Sequence, residues 1–336
     1  MNFIVRKGLV RNMRKIKIAI LGFGTVGCQI YQYLKSESEH IRELFQVEIE
    51  VVKIYVRDIN KERSIKGIEF LLTDQGYDAI DAADLIMECI GGNGSELSRE
   101  LVQYAIRKEK PVILSSKKCL AFYGRELFGE AVGNHVPIYY DACVGGGIPI
   151  SRNLKDMGRC EQIKKIYGIV NATSNVILED MSSRNMTFQE ALLQAQKQGI
   201  AENDPSEDVD GYDALYKAII LAGITFGTWI SVPSVQPESL RDLTEGDFAQ
   251  EKTSGYVIKQ VFEINCEKET IVCSVQNRLV DKDSLIACVK GRNNIIIVDS
   301  TEAGERAFYG QGAGARPTAS AMFDDMILCL SHIIKA

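Results

Sequence analysis

Residues 16–21 form an apolar run interrupted only by Lys17, the length of a buried strand. The run ends on Gly22-Phe23-Gly24-Thr25-Val26-Gly27, and apolar positions then recur at helical spacing to about Leu34. Residues 47–56 predict a second strand, stopped by Arg57-Asp58-Ile59-Asn60. A third at 84–90 ends in Gly91-Gly92, followed by an amphipathic helix at 97–107 and a strand at 111–114. A short helix at 127–132 and a strand at 137–141 precede Val144-Gly145-Gly146-Gly147. Strands alternating with helices predict an α/β fold, a doubly wound parallel sheet of Rossmann type.

After Pro149 the pattern changes. A strand at 163–170, a helix at 188–198 and a long helix at 211–230 lead into segments of strand character at 255–265, 270–278, 283–290 and 294–298. These predict a second, α+β domain built on a mostly antiparallel sheet with a helix on one face. The glycine-rich 309–314 and an amphipathic helix at 317–335 close the chain. The expected division is a basic leader at 1–15, a dinucleotide-binding domain of 16–142 plus 309–336, and a catalytic domain at 143–308.

Length agrees, since 336 residues suggest about two domains. With 46% hydrophobic and 25% charged residues the composition is that of an ordinary globular chain. Thirty-nine basic against 45 acidic residues give a net charge of −6, without the basic footprint of a nucleic-acid binder. The longest apolar run, 218–232, is too short to span a bilayer. Nine cysteines without a CxxC, and only three histidines, assemble no zinc spacing. They read as reduced thiols of a cytoplasmic protein.

GxGxxG between a strand and a helix carries a mechanism. Gly22 makes the tight turn, Gly24 admits the pyrophosphate, Gly27 lets helix and strand pack closely, and the helix start offers amide donors. Phe23, Thr25 and Val26 share that turn, and Gly91, Gly92, Asn93 and Ser115 end neighbouring strands on the same side. At the tip of the second strand, Arg57 with Lys61 and Arg63 suits the 2′-phosphate of NADP(H), which is the preferred reading. Asp58 leaves NAD(H) open.

Residues 202–217 bring six acids ahead of Lys217, which sits where the helix turns wholly apolar. Asp213 and Lys217, four apart, share a helix face. A desolvated lysine has a lowered pKa and exchanges protons near neutrality. A second pair, Lys117-Lys118, follows directly on the 111–114 strand, at the strand end where open sheets bind ligands.

Seven segments in order, ILGFGTVG, MECIGG, SSKKCLA, DACVGGGIPI, GIVNATSNVIL, AENDPSEDVDGYDALYK and YGQGAGARPTA, resemble the homoserine dehydrogenase family. The resemblance implies NAD(P)-dependent reduction of L-aspartate 4-semialdehyde to L-homoserine, with Lys217 as acid/base and Lys118 assisting. It implies Glu202, Asp208 and Asp213 at the substrate's amino end or positioning the lysine, in a pocket with Thr173 and Gly147, and Gly312 at the cofactor. It further implies a structural sodium ion on Asp141, Val144, Gly146 and Ile148, a homodimer through the second sheet, and a short form without a C-terminal ACT domain. Four positions depart from the family pattern: Lys117 for Asn, Asp141 for Glu, Ala172 for Gly and Ile200 for Tyr. These leave open a related semialdehyde or hydroxy amino acid as substrate, or a silent nucleotide-binding homologue.

Overall fold

The computed structural model describes residues 13–334 apart from 245, 249–250, 252–254 and 269. Most of the expected leader lies outside these residues, and its end is corrected: Arg14 and Lys15 already belong to strand β1 (Arg14–Leu21). With β2 (Val47–Tyr55), β3 (Leu72–Thr73), β4 (Leu85–Glu88), β5 (Val112–Leu114) and β6 (Ile138–Tyr139) it forms a sheet ordered β3-β2-β1-β4-β5-β6. Every pairing is parallel. This is the doubly wound order, whose ligand crevice opens at the carboxyl ends of the strands where the order reverses, beside β1 and β4.

The period-two geometry of a strand explains the apolar run of β1. Ile16, Ile18 and Ile20 face the Thr25–Ser36 helix and the terminal Ala315–Ile333 helix, meeting Ile30, Leu34, Met322 and Met326. Ala19 and Leu21 face the opposite core. There the Lys117–Gly133 and Tyr212–Phe226 helices join the first sheet to the second.

The short helix expected at 127–132 is a 17-residue helix beginning at Lys117, capped by Ser116, whose hydroxyl accepts Cys119 N–H at 3.4 Å. Gly124 inside it disguises the pattern. Its site is filled by Trp229, and a Cβ there would stand 2.2 Å from the ring. The Ala172–Arg184 helix, unforeseen, is buried nearly all round and so shows no amphipathic stripe.

The second sheet joins β7 (Ile163–Ile169), β8 (Tyr256–Glu267), β9 (Thr270–Asp281), β10 (Asn293–Ser300) and β11 (Gly304–Gln311) in the order β11-β10-β7-β8-β9. All its pairings are antiparallel. The strand expected at 283–290 is instead a chain of turns. Asp281 accepts Asp283 N–H at 2.8 Å and turns the backbone over, so that Ile286 and Val289 cover Ile169, Val261, Ile295 and Ile297. Residues 309–311, assigned above to the first domain, complete β11, and the chain returns to the first sheet only after Gln311.

Strands β7 and β10 approach closely at Gly168, whose φ is +151° and whose Cβ would stand 2.0 Å from the Ile295 carbonyl. Gly168→Ala must therefore displace backbone. We expect it to lower the unfolding free energy by about 2 kcal/mol or more. Urea denaturation reads this as a lower midpoint; an unchanged midpoint and slope would refute the tight contact.

Candidate active site

The cleft begins at the glycine turn. Gly22, at φ +97°, lies so close to the β4 loop that a Cβ would meet the Cys89 carbonyl at 2.7 Å. A Cβ on Gly27 would meet the Gly22 carbonyl at 2.2 Å, so strand and helix can only touch here without side chains. Gly24 faces open space instead. It precedes the Thr25–Ser36 helix, which has neither a side-chain cap nor an acidic residue in its first turn. Free amide donors and the positive dipole end are thus left to an anion.

Across the cleft stands the lysine site. Lys217, side chain 9% exposed, donates to Val170 O at 2.7 Å and to Asp213 Oδ2 at 2.6 Å. Lys117 Nζ is ion-paired to the other oxygen, Asp213 Oδ1. Asn171 ends the strand side of the site and caps the Ala172–Arg184 helix, its Oδ1 accepting Ser174 N–H at 2.7 Å. That bond directs its amide nitrogen to Asp208 Oδ1 at 2.6 Å and Asp213 Oδ2 at 2.7 Å. Three segments thus converge on one buried carboxylate.

Electrostatics follow from the geometry. Burial pushes the Asp213 carboxyl up, but the Lys117 and Lys217 ammoniums outweigh it and hold the group well below the usual carboxylate range. Lys217 is lowered, first by desolvation and then by the neighbouring Lys117 charge, against the pull of Asp213. Lys117 is raised, chiefly by Asp213. Asp208 is raised by burial and by the Asp213 charge.

A cleft of about 410 Å³ connects the two halves. Of the residues singled out from sequence, Thr25, Val26, Gly91, Gly92, Ser115, Lys118, Gly146, Glu202, Lys217 and Gly312 line it. Lys118 reaches Glu207 Oε1 at 2.5 Å rather than Asp213. Phe23 packs edge-on against Tyr31, and Asn93 is exposed beside the Gly91-Gly92 turn. Ala172 and Thr173 are buried at the start of their helix, and the Thr173 hydroxyl donates to Ile200 O at 3.4 Å. The Ile200 side chain packs on the apolar cluster of Ile177, Leu178 and Phe188 and does not line the cleft. Gly147 donates its N–H to Gln311 O at 3.2 Å, joining the loop before the second domain to the loop that leaves it.

At the far end of β2, Arg57 and Lys61 are exposed. Arg63 is turned inward onto the carbonyls of Asp58 at 2.5 Å and Lys61 at 2.6 Å, and Asp58 Oδ1 accepts Asn60 N–H at 2.9 Å. Near the interdomain turn, Asp141 Oδ1 accepts Ser151 N–H at 2.9 Å, while Ile148 O accepts Ile150 N–H at 2.7 Å. Among the described residues no group of three or more His, Cys, Asp or Glu side chains could hold a metal ion.

Sequence reasoning missed Asn171, Glu207 and Glu88 as site residues. Glu88, fully buried at the end of β4, accepts N–H groups of Ile90 at 2.7 Å and Ser116 at 3.1 Å, tying together two loops of the cleft. Burial pushes its carboxyl up to about 7. Only Asn171 carried a signal, as a polar N-cap type between a strand and a following segment.

Comparison with known proteins bears on this arrangement. Residues 149–327 match the family model described as homoserine dehydrogenase, and residues 22–141 match the one described as its NAD binding domain. The chain belongs to the homoserine dehydrogenase family. A curated homoserine dehydrogenase of Bacillus subtilis (strain 168) is 33% identical over 323 residues, 96% of this chain and 74% of that protein. The crystal structure of a homoserine dehydrogenase from Thiobacillus denitrificans superposes with a TM-score of 0.86 at 34% identity, covering 95% of this chain and 74% of that one. A hyperthermophilic archaeal homoserine dehydrogenase, solved in complex with NADPH, gives 0.77 at 26% identity, covering 93% and 97%. The family's reaction is the NAD(P)-dependent reduction of aspartate semialdehyde to homoserine.

Asp213 is the counter-charge of two ammoniums. Asp213→Asn is expected to cost about 3 kcal/mol in urea melts at pH 7, because it leaves two cations facing each other. The Asp213 carboxyl is lowered in the folded state. Its contribution is therefore present above the ordinary carboxylate pKa and is lost as pH falls through the depressed one. The gap between wild type and variant should close in strong acid. A variant as stable as wild type at pH 7 would refute the shared ion pair.

Proposed function

We propose that Lys217 is the acid/base group of this reaction and that NADP(H) is the preferred carrier. The observation that carries the first point is the bonding of Lys217. The Lys217 nitrogen donates to Val170 O and Asp213 Oδ2 and the residue lines the cleft, while an ammonium keeps a third donor. When bound, the dihydronicotinamide supplies a hydride to the aldehyde carbon. Lys217 gives a proton to the carbonyl oxygen as the alcohol forms, and takes it back when homoserine is oxidised. Its lowered pKa suits it to both directions.

The remaining roles follow by position. Glu202 and Glu207 line the cleft and offer carboxylates to an amino-acid ammonium, while Lys118, tethered to Glu207, assists with positive charge beside them. Asp208 and Asp213 orient Asn171 and Lys217, and Ala172 and Thr173 lie buried at the helix start beside them, the Thr173 hydroxyl bonded to Ile200 O. Gly147 ties the loop before the second domain to Gln311.

For the cofactor, the turn of Gly22, Phe23, Gly24, Thr25, Val26 and Gly27 would hold the pyrophosphate. Gly91, Gly92, Asn93, Ser115, Lys118 and Gly312 would form the nicotinamide end. Arg57 is free at the tip of β2 and Lys61 is exposed, whereas an oxygen of Asp58 is taken by Asn60. That balance favours a 2′-phosphate. Arg63 serves differently from expectation, folding the loop that presents Arg57.

The donor set for a sodium ion fits in type. Asp141 is a buried carboxylate without an ion-pair partner among the described residues, pushed up by desolvation, on the same turn as the Val144, Gly146 and Ile148 carbonyls. A carbonyl that already accepts one hydrogen bond keeps a second lone pair. Such an ion would hold the turn, and no chemical step depends on it. All nine cysteines are free, which supports a reducing, cytoplasmic setting, and no described helix is long and apolar enough to cross a membrane.

A second copy of the chain is the partner we assign. Edge strand β9 leaves Val272 53% exposed and Leu279 38% exposed, and an unpaired apolar edge is covered by dimerisation. Sedimentation as a dimer at micromolar concentration is expected; a monomer there removes the assignment.

Homoserine oxidation measured with NADP and with NAD tests the main reading, with turnover expected for both and a higher kcat/KM for NADP. Lys217→Ala should lower kcat by about a thousandfold while NADPH affinity stays within about twofold. Undiminished turnover would refute its role.

A further inference from the structure

We propose that Lys117, which shares the Asp213 carboxylate with Lys217, is the positioning residue of the acid/base lysine, and that Lys118 is not. The inference rests on the acid/base reading of Lys217 and concerns this chain's own departure, a second cation where the family pattern has an amide.

The two lysines are neighbours on one helix and diverge for a geometric reason. Successive helical residues point about 100° apart. With Ser116 as the cap and Lys117 as the first helical residue, Lys117 turns toward the Tyr212–Phe226 helix and meets Asp213 Oδ1. Lys118 turns to the Ser206–Val209 turn, where Glu207 takes it. It also lies 5.8 Å from the Tyr216 ring centre. Lys117 thereby fixes the carboxylate's rotation, because one oxygen is held by Lys117 and the other by Lys217 and Asn171. An amide could hold the same oxygen, but without charge.

The charge has a consequence for Lys217. The groups facing it are Asp213 on its own helix, Lys117 on the next, Asp208 on the turn above, and Asn171 and the Val170 carbonyl at the end of β7. Glu207 and Glu202 lie further along the cleft. Of these Lys117 is the one that disfavours the Lys217 ammonium by its sign and proximity. It also competes for Asp213. Removing it leaves Lys217 as the one ammonium on that carboxylate among the described residues and takes away a like charge, and both effects stabilise the protonated lysine.

The test compares Lys117→Met, Lys117→Arg and Lys118→Met with wild type. In ligand-free protein, pH-dependent acylation of Lys217 by an amine reagent, read by mass spectrometry, gives its titration midpoint without reference to turnover. The pH profile of kcat/KM for homoserine oxidation, which needs the neutral amine, gives it again. Lys117→Met should move both midpoints up by about one unit, so that oxidation below the midpoint falls about tenfold. Lys117→Arg should restore them, which a merely structural defect would not. Lys118→Met should lower kcat/KM and leave the midpoints in place. An unmoved midpoint in Lys117→Met, or a moved one in Lys118→Met, overturns the proposal. Failure of wild type to oxidise homoserine would instead overturn the functional reading, and the acylation midpoints would still decide this one.

Discussion

One buried carboxylate organises the lysine side of the cleft. A charge removed from water is tolerable only when paired and hydrogen-bonded, and Asp213 meets that demand with partners from three different segments. The Tyr212–Phe226 helix supplies the acid and Lys217, the Lys117–Gly133 helix supplies Lys117, and the end of β7 supplies Asn171. The carboxylate is fully partnered only when all three segments are in place. The ion cluster therefore specifies how the two sheets meet, while the apolar contacts of Leu215, Ile219, Phe262 and Val275 supply the adhesion.

The cofactor half obeys a different constraint, the exclusion of side chains. Gly22 and Gly27 let β1, its helix and the Cys89 loop converge, so the first turn of the helix reaches the crevice with its amides unspent. The lysine half is built from charges that need partners, and the glycine half from backbone that needs none. Glu88 connects them by accepting N–H groups from the loops after β4 and β5. The glycine turn and Lys217 thus share a scaffold without touching.

What the sequence made legible was what local pattern controls. Strands buried on both faces are short apolar runs, so β4, β5 and the end of β1 stand out, β2 shows an alternation of apolar and polar residues, and the glycine turn is readable because its three glycines lie within six residues. Lys217 was legible because an abrupt loss of charge along a helix marks the edge of a core. The choice between Lys117 and Lys118 was not, since it depends on the residue at which the helix begins, set by the Ser116 cap. Asn171 and Glu207 act across distances in the chain that leave no periodic trace. The segment at 283–290 misled for a related reason, as Asp281 turns the backbone just where apolar residues would have prolonged a strand.

The chain passes between the two sheets twice, outward after β6 and back after β11, and the two passages touch. Gly147 donates to Gln311, and Gly146 lies against Gly312 so closely that a Cβ would stand 2.8 Å from its backbone. Two straps bonded at one point are a fixed crossing rather than a loose linker. Because Gly145, Gly146 and Gly312 themselves line the cleft, the crossing is part of its wall. Bulk added at Gly146 would therefore push the two straps apart and reshape the cleft itself.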